Sequence, residues 1–247
     1  EAYIATYEIS NFNFMAGKLQ KWQGYDAGLN DGWVKAGEEG TYFGGAVYSD
    51  DMMKVNGWYY NITKLTNAAY FDATLMYEIS SDVSGTGAVQ YLNESEISLS
   101  GTKADIYGAK AELSAYGFTL SAAYNKSQKK TGKASFSGFG GGALFTSMDT
   151  MILDEIASDR DARAAVGGIS YEIDDLTLSY AFGDFKGEAD SLGQKAHIVE
   201  QDICIAYNII EDKFSVSAVY AIQADRENSA KTDNDWNRLQ IKASYNF

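Results

Sequence analysis

Four features of this sequence carry residue types able to do chemistry. His197 is the only histidine and Cys204 the only cysteine. A hydrolase needs a base such as histidine beside a nucleophile or carboxylates. The alternation of the surrounding residues puts His197 on the apolar face of a strand start, beside a loop, and Cys204 on the polar face. Cys204 therefore reads as a small packed residue, and no catalytic group is expected. The run Gly138 to Gly142 lacks the Lys-Ser/Thr and the strand–loop–helix setting of a phosphate cradle; it reads as a bend in a long loop. Asp149, Asp154, Glu155, Asp159 and Asp161 could offer oxygen ligands to calcium. They lack the Asp-x-Asp-x-Asp-Gly spacing, so an acidic loop is the plainer reading. Calcium stays a minor candidate there, with no other cofactor or metal expected.

Composition narrows the classes further. The 247 residues carry a net charge of −14, 18 Tyr, 12 Phe, 24 Gly and no Pro. Such acidity argues against nucleic acid, which calls for basic patches. One cysteine excludes a disulfide framework. Missing proline suits a chain of paired strands, because proline cannot donate to a ladder. Abundant tyrosine suits a protein with two membrane–water interfaces. Mean hydropathy is only −0.28, and no apolar run is long enough for a membrane helix. A barrel whose strands alternate apolar and polar residues would give the same average.

That alternation is present. In Arg238-Leu239-Gln240-Ile241-Lys242-Ala243-Ser244-Tyr245-Asn246-Phe247 the odd positions are apolar and the even ones polar. Phe214, Val216, Ala218, Tyr220 and Ile222 repeat the pattern, as do Ile203, Ile205, Tyr207 and Ile209. So do Leu178, Tyr180 and Phe182, then Ile169, Tyr171 and Ile173, and Phe118, Leu120, Ala122 and Tyr124. Tyr107 to Ala115 and Phe71 to Ile79 behave alike. Noisier strands are expected near 2–9, 12–22, 41–49, 53–63 and 87–96. Tyr77, Tyr171 and Tyr207 fall near strand ends on the apolar face, where an interfacial girdle would sit.

Connection lengths discriminate among β architectures. Tight turns at Ser49-Asp50-Asp51, Ala115-Tyr116-Gly117, Glu172-Ile173-Asp174-Asp175 and Glu211-Asp212-Lys213 alternate with longer links at 23–40, 97–103, 129–162, 188–196 and 227–233. Short turns at one end and long loops at the other are the outer-membrane layout. The fold class expected is all-β: a transmembrane antiparallel up-and-down β-barrel, one domain over 1–247. About thirteen strands are legible, whereas bacterial barrels have an even number. The chain is therefore expected to lack its N-terminal strands. Residues 129–162 read as a long external loop, with a short helix near 147–158 capped by Ser147.

The ordered stretches Phe14-Met15-Ala16-Gly17-Lys18-Leu19-Gln20, Tyr42-Phe43-Gly44-Gly45-Ala46, Tyr107-Gly108-Ala109-Lys110 and Ala123-Tyr124-Asn125-Lys126, with Gly138-Phe139-Gly140-Gly141-Gly142, Phe145-Thr146-Ser147, Leu176-Thr177-Leu178-Ser179-Tyr180-Ala181, Glu200-Gln201-Asp202 and a terminal Phe247, form one set. As a set they resemble the Gram-negative outer-membrane porins of the porin D (OprD-like) and major outer membrane porin family. The resemblance covers nearly the whole chain and corresponds to the C-terminal two-thirds or so of such a porin. It implies a barrel of about 16 to 18 strands, often a homotrimer, in contact with outer-membrane lipid and lipopolysaccharide. It also implies that 23–40 folds inward as a constriction loop. Here that loop lacks proline, and Lys18 stands where the family commonly has arginine.

The resemblance and the parity together give the expected function: a passive channel for ions and small hydrophilic solutes. A constriction sets the size limit and lumen charge biases ion choice. Candidate constriction groups are Asp26, Asp31, Lys35, Glu38 and Glu39. Candidate wall charges are Asp72, Glu78, Lys110, Glu112, Glu172, Glu200, Asp202, Arg238 and Lys242. The excess of acids points to weak cation preference. The alternative is a complete barrel of about 12 strands serving as a translocation anchor or adhesin.

Overall fold

The computed structural model describes residues 1–22, 32–136, 144–210, 213–228, 230 and 232–246. Its strands are β1 (Ala2–Ile9), β2 (Phe12–Leu19), β3 (Lys21–Trp22), β4 (Val34–Lys35), β5 (Thr41–Ser49), β6 (Met53–Ile62), β7 (Thr66–Ser80) and β8 (Val83–Glu96). They continue with β9 (Ala104–Ala115), β10 (Phe118–Ser127), β11 (Ala162–Ile173), β12 (Leu176–Gly187), β13 (Ala196–Ile210), β14 (Phe214–Asp225) and β15 (Trp236–Tyr245). Thirteen of them form one sheet in the order β1-β2-β5-β6-β7 and on to β15, each antiparallel to its sequence neighbour; β3 and β4 pair separately. This is the up-and-down meander expected from the alternation. Among the described residues β1 and β15 each have one partner strand, so the wall is open at those two edges.

The hairpin turns at 49–51, 115–117 and 172–175 are made where the sequence marked them; Glu211 and Asp212 of the fourth lie outside the described residues. Tyr116 and Gly117 both have positive φ, 52° and 81°, the pair of values a two-residue hairpin needs to match strand twist. A Cβ on Gly117 would also sit 2.7 Å from the Glu172 carbonyl oxygen. On the opposite end the alternation has one exception. The link from β6 to β7 is only 63–65, where Leu65 N–H donates to Ile62 O.

The two faces differ as the parity demanded. One face carries Phe71, Leu75, Leu120, Ile169, Leu178, Ile203, Ile205, Leu239 and Ile241, all exposed. Tyr77 and Tyr207 lie at the short-turn end of this face, each 49% exposed, and the Tyr171 ring packs tilted against Phe118 with centroids 4.3 Å apart. A broad exposed apolar face is costly in water and suited to hydrocarbon. No helix among the described residues is long and apolar enough to cross a membrane.

The polar face is the concave one. Phe145 N–H donates to Gln90 Oε1 on β8, and Arg238 on β15 bonds Asp149. Seven strand spacings would separate β8 from β15 by about 34 Å on a flat sheet. Four residues span at most about 14 Å. One short segment can touch both only if the sheet wraps around it.

That segment belongs to the stretch expected as an external loop. Within 129–162 the stretch 144–157 packs on the inside of the wall, while Thr131, Gly132, Ser158 and Asp161 stay exposed. The reason is apolar: Leu144, Met151, Leu153, Ile156 and Ala157 pack on Ala68, Leu92, Ala104, Ile106, Ala162, Ala164, Phe185 and Ile198. These inward positions, near the loop end of their strands, break the polar-inside pattern. Burying each large side chain is worth about 1.5–3 kcal/mol, enough to draw the segment in. The helix expected near 147–158 is a single 3-10 turn, Leu153–Ile156, with Ile152 at its N-cap and no side-chain cap.

The partition makes a paired prediction. Ile205→Lys, on the outward face of β13, should cost about 2–4 kcal/mol in lipid. Ser121→Lys, inward on β10 opposite Glu112, should cost under about 1 kcal/mol. Reversible unfolding in bilayers measures both; equal costs would refute the assignment of faces.

Candidate functional site

The inward face is polar where the segment 144–150 crosses it, and its polar groups meet the segment's backbone. Gln90 and Glu94 lie on β8, Asn125 on β10, Glu200 and Asp202 on β13, and Gln223 on β14. All are at most 8% exposed. Buried oxygens of this kind call for donors, and the segment, with Phe136 ahead of it, supplies most of them. Phe136 N–H donates to both Glu94 carboxylate oxygens, at 3.0 and 2.8 Å. Thr146 donates its N–H and its hydroxyl to Asn125 Oδ1 at 3.1 and 3.0 Å. Asp149 N–H donates to Asp202 Oδ2 at 3.0 Å, and Thr150 N–H to Glu200 Oε1 at 2.9 Å. The Thr150 hydroxyl donates to the other Glu200 oxygen.

Asn125 also donates from Nδ2 to Gln90 Oε1 at 3.1 Å, linking the two wall amides. At the far side Arg238 donates to the Asp149 carbonyl at 3.3 Å and to its carboxylate at 2.8 Å. The segment is thereby tied to five strands from β8 to β15. Gly183 supplies clearance, since a Cβ there would collide with the Met148 sulfur.

The predicted wall charges differ in what they contact. Glu200, Asp202 and Arg238 hold the segment. Asp72, 8% exposed, accepts from Asn56 Nδ2 at 2.8 Å. Lys110 and Glu112 pair with each other at 2.9 Å, and Glu112 also accepts from Thr86. Glu78 and Glu172 are exposed beside the short turns, and Lys242 sits inward on β15 opposite Ser217. Below the segment, Thr86, Ser114, Thr119, Ser121, Thr177 and Ser179 give the concave face a hydroxyl lining among those charges.

Of the predicted constriction groups, Asp26 and Asp31 lie outside the described residues. Lys35, Glu38 and Glu39 are exposed at the loop-end rim. Glu38 pairs with Lys64 at 2.8 Å, and Glu39 N–H donates to the Thr63 hydroxyl at 2.7 Å. The described part of 23–40 is thus fastened to the β6–β7 turn, and 144–150 occupies the concavity. Parity had put Asn125 and Gln223 on the polar face. It did not distinguish them, because a stitching amide and a solvated one look alike in sequence.

The acids proposed for calcium are dispersed: Asp149 faces Arg238, Asp159 accepts from Gly132 and Ser191 N–H groups, and Asp161 accepts from Lys129 N–H. Hydrogen bonds from Ser191 and Gly132 hold the Asp159 carboxyl down to about 2. The described residues contain no group of three potential metal ligands. His197 contacts Asp184 at 2.7 Å on the outward face, while Cys204 points inward. The two do not share a site.

A cleft of about 430 Å³ opens beside the segment at the loop end, lined by Thr150, Glu155, Lys195, Asp225, Glu227 and Trp236 among others. It is acidic and reaches the edge of the stitched segment.

No family model and no curated protein sequence matches the chain. Solved structures do. Acinetobacter baumannii OccAB4 aligns over 98% of this chain and 63% of its own, with TM-score 0.79 and 13% identity. The outer membrane protein OprD from Pseudomonas aeruginosa aligns over 98% and 67%, with TM-score 0.75 and 14% identity. Pseudomonas aeruginosa OpdK with vanillate aligns over 99% and 66%, with TM-score 0.76 and 12% identity. The fold is the one these outer-membrane proteins share, and the chain spans about two-thirds of their length.

Stitching of this kind is directly measurable. Asp202→Ala and Glu200→Ala should raise amide exchange at Asp149 and Thr150 respectively by about tenfold or more, the loss of about 1.5–3 kcal/mol from a bond to a charged acceptor. Hydrogen exchange read at those amides tests this, and unchanged protection would show that the apolar contacts alone hold the segment.

Proposed function

We propose that the chain forms most of the wall of a passive diffusion channel in a bacterial outer membrane, admitting ions and small hydrophilic solutes. One observation carries this reading: the wall shows an apolar face outward and a polar face inward, and the inward face encloses a segment tied across it. A binding-only anchor has no need of an internal segment held by five buried polar side chains.

In this reading 144–157 is the restriction, and the passage runs beside it from the acidic cleft to the hydroxyl-lined region below. Hydroxyls exchange hydrogen bonds with a passing solute without trapping it, which conduction requires. The cation preference follows from which charges remain available. Arg238 is committed to Asp149, while Glu155, Asp225 and Glu227 line the cleft against a single lysine, Lys195. A potential of that sign concentrates cations at the mouth.

Planar-bilayer recording of the full-length protein tests the proposal. Discrete conductance steps and a cation-signed reversal potential across a salt gradient are expected. The double variant Asn125→Ala/Glu200→Ala, which releases the segment, should raise single-channel conductance. A folded protein that stays silent would favour the anchor reading, and an anion-signed potential would overturn the ion preference.

A further inference from the structure

The outward face holds a second feature that solute passage does not use. Near the loop end, Lys126 on β10 is the cross-strand partner of Arg163 on β11, Arg163 of Lys186 on β12, and Lys186 of His197 on β13. All four occupy outward positions by the alternation of their strands. Arg226, just past β14, continues the line, its N–H donating to His197 O at 2.7 Å. Four basic residues thus stand in register along about 14 Å, three strand spacings, on a chain of net charge −14.

Their surroundings distinguish the row from a solvated rim. Tyr124, 44% exposed, and Phe182, 41% exposed, lie on its short-turn side and mark the top of the apolar face. A cavity of about 230 Å³ opens there, lined by Tyr124, Lys126, Asp161, Arg163, Lys186 and Glu188. Asp184 is shared by Lys186 at 2.6 Å and His197 at 2.7 Å, which fixes the row's far end. Asp161 and Glu188 stand on the loop side, and Asp161 accepts from Lys129 N–H. Among the described residues no carboxylate lies within ion-pair distance of Lys126 or Arg163.

We propose that this row is a binding site for the phosphorylated headgroup of an outer-leaflet glycolipid of the lipid A type. The apolar face below takes the acyl chains and the cavity takes a phosphate. Arginine presents paired donors matched to phosphate oxygens, and the two lysines add point charges. Basic residues at the head-group level of an anionic leaflet each contribute about 1 kcal/mol. The carboxylates on the loop side close the site from above. A phosphate therefore approaches from the membrane and not from the aqueous side. The site rests on the outer-membrane placement proposed above, but its test does not require conductance.

Native mass spectrometry of the full-length protein in neutral detergent supplies the test, with bisphosphorylated lipid A, dephosphorylated lipid A and inorganic phosphate as probes. Bisphosphorylated lipid should be retained about tenfold better than its dephosphorylated form. The triple variant Lys126→Gln/Arg163→Gln/Lys186→Gln should lose that preference, while Lys129→Gln keeps it. If the triple variant does not fold, Arg163→Gln alone should weaken retention about fivefold, with Arg163→Lys restoring part of it. Equal retention of the two lipids, or an unchanged preference in the variants, would overturn the proposal. So would displacement of the lipid by inorganic phosphate at equal concentration, which would make this a free-anion site. A channel that conducts but shows no lipid preference would sink this site and leave the channel reading standing.

Discussion

Everything in this molecule depends on one constraint: a strand wall facing hydrocarbon must satisfy its backbone within the sheet and sort its side chains by face. Thirteen strands pair in sequence order from β1 to β15, with β3 and β4 set apart, so backbone groups pair with neighbours close along the chain. Once pairing is fixed, parity fixes everything else. A slip of one residue would turn Ile203 and Ile205 inward and expose Cys204 and Asp202 to lipid. The register is therefore held by the solvent on both sides as much as by the hydrogen bonds.

The inner segment is a second solution to the same problem. A concave face lined by Glu94, Asn125, Glu200 and Asp202 could be satisfied by water. Here it is satisfied by the N–H groups of residues that have no ladder of their own. An irregular segment buried in a wall needs acceptors, and buried carboxylates need donors. Each supplies what the other lacks. The apolar cluster of Leu153, Met151 and Phe185 adds the net driving force, because hydrogen bonds exchanged with water return little by themselves.

How much of this could be read beforehand follows from the range of the forces. Strands, turns and the outward face were legible because period-two alternation is local: the strands expected near 2–9, 41–49 and 87–96 lie at Ala2–Ile9, Thr41–Ser49 and Val83–Glu96. The path of 129–162 was not. Leu144, Met151, Leu153 and Ile156 look like an ordinary apolar sprinkling, and their partners Ala68, Ile106, Phe185 and Ile198 lie on strands far away in sequence. One local clue existed. Inward positions of β9 and β12 turn apolar toward the loop end, at Ile106 and Phe185, where a wet wall would stay polar. Parity marks Glu200, Asp202 and Arg238 as wall charges, yet charge alone does not say that they serve as acceptors and clamp. The cross-strand basic row was likewise invisible, because Lys126, Arg163, Lys186 and His197 are neighbours only through three strand registers.

The two faces also deal with charge by different means, and that difference decides what each can do. Inside, carboxylates are matched mainly by backbone N–H groups, which neutralise locally without adding countercharge. Arg238 sits on Asp149 at the end of the segment. The lumen thus keeps its negative sign while burying its acids. Outside, Asp184 answers Lys186 and His197, while among the described residues no carboxylate pairs with Lys126 or Arg163. A mainly acidic chain that holds positive charge on its outward face at the edge of the apolar band separates the two signs across a single wall, about one strand thick. In the channel and lipid site proposed above, solutes meet the negative side and lipid the positive one, and the strand parity that makes the wall also keeps those two surfaces apart.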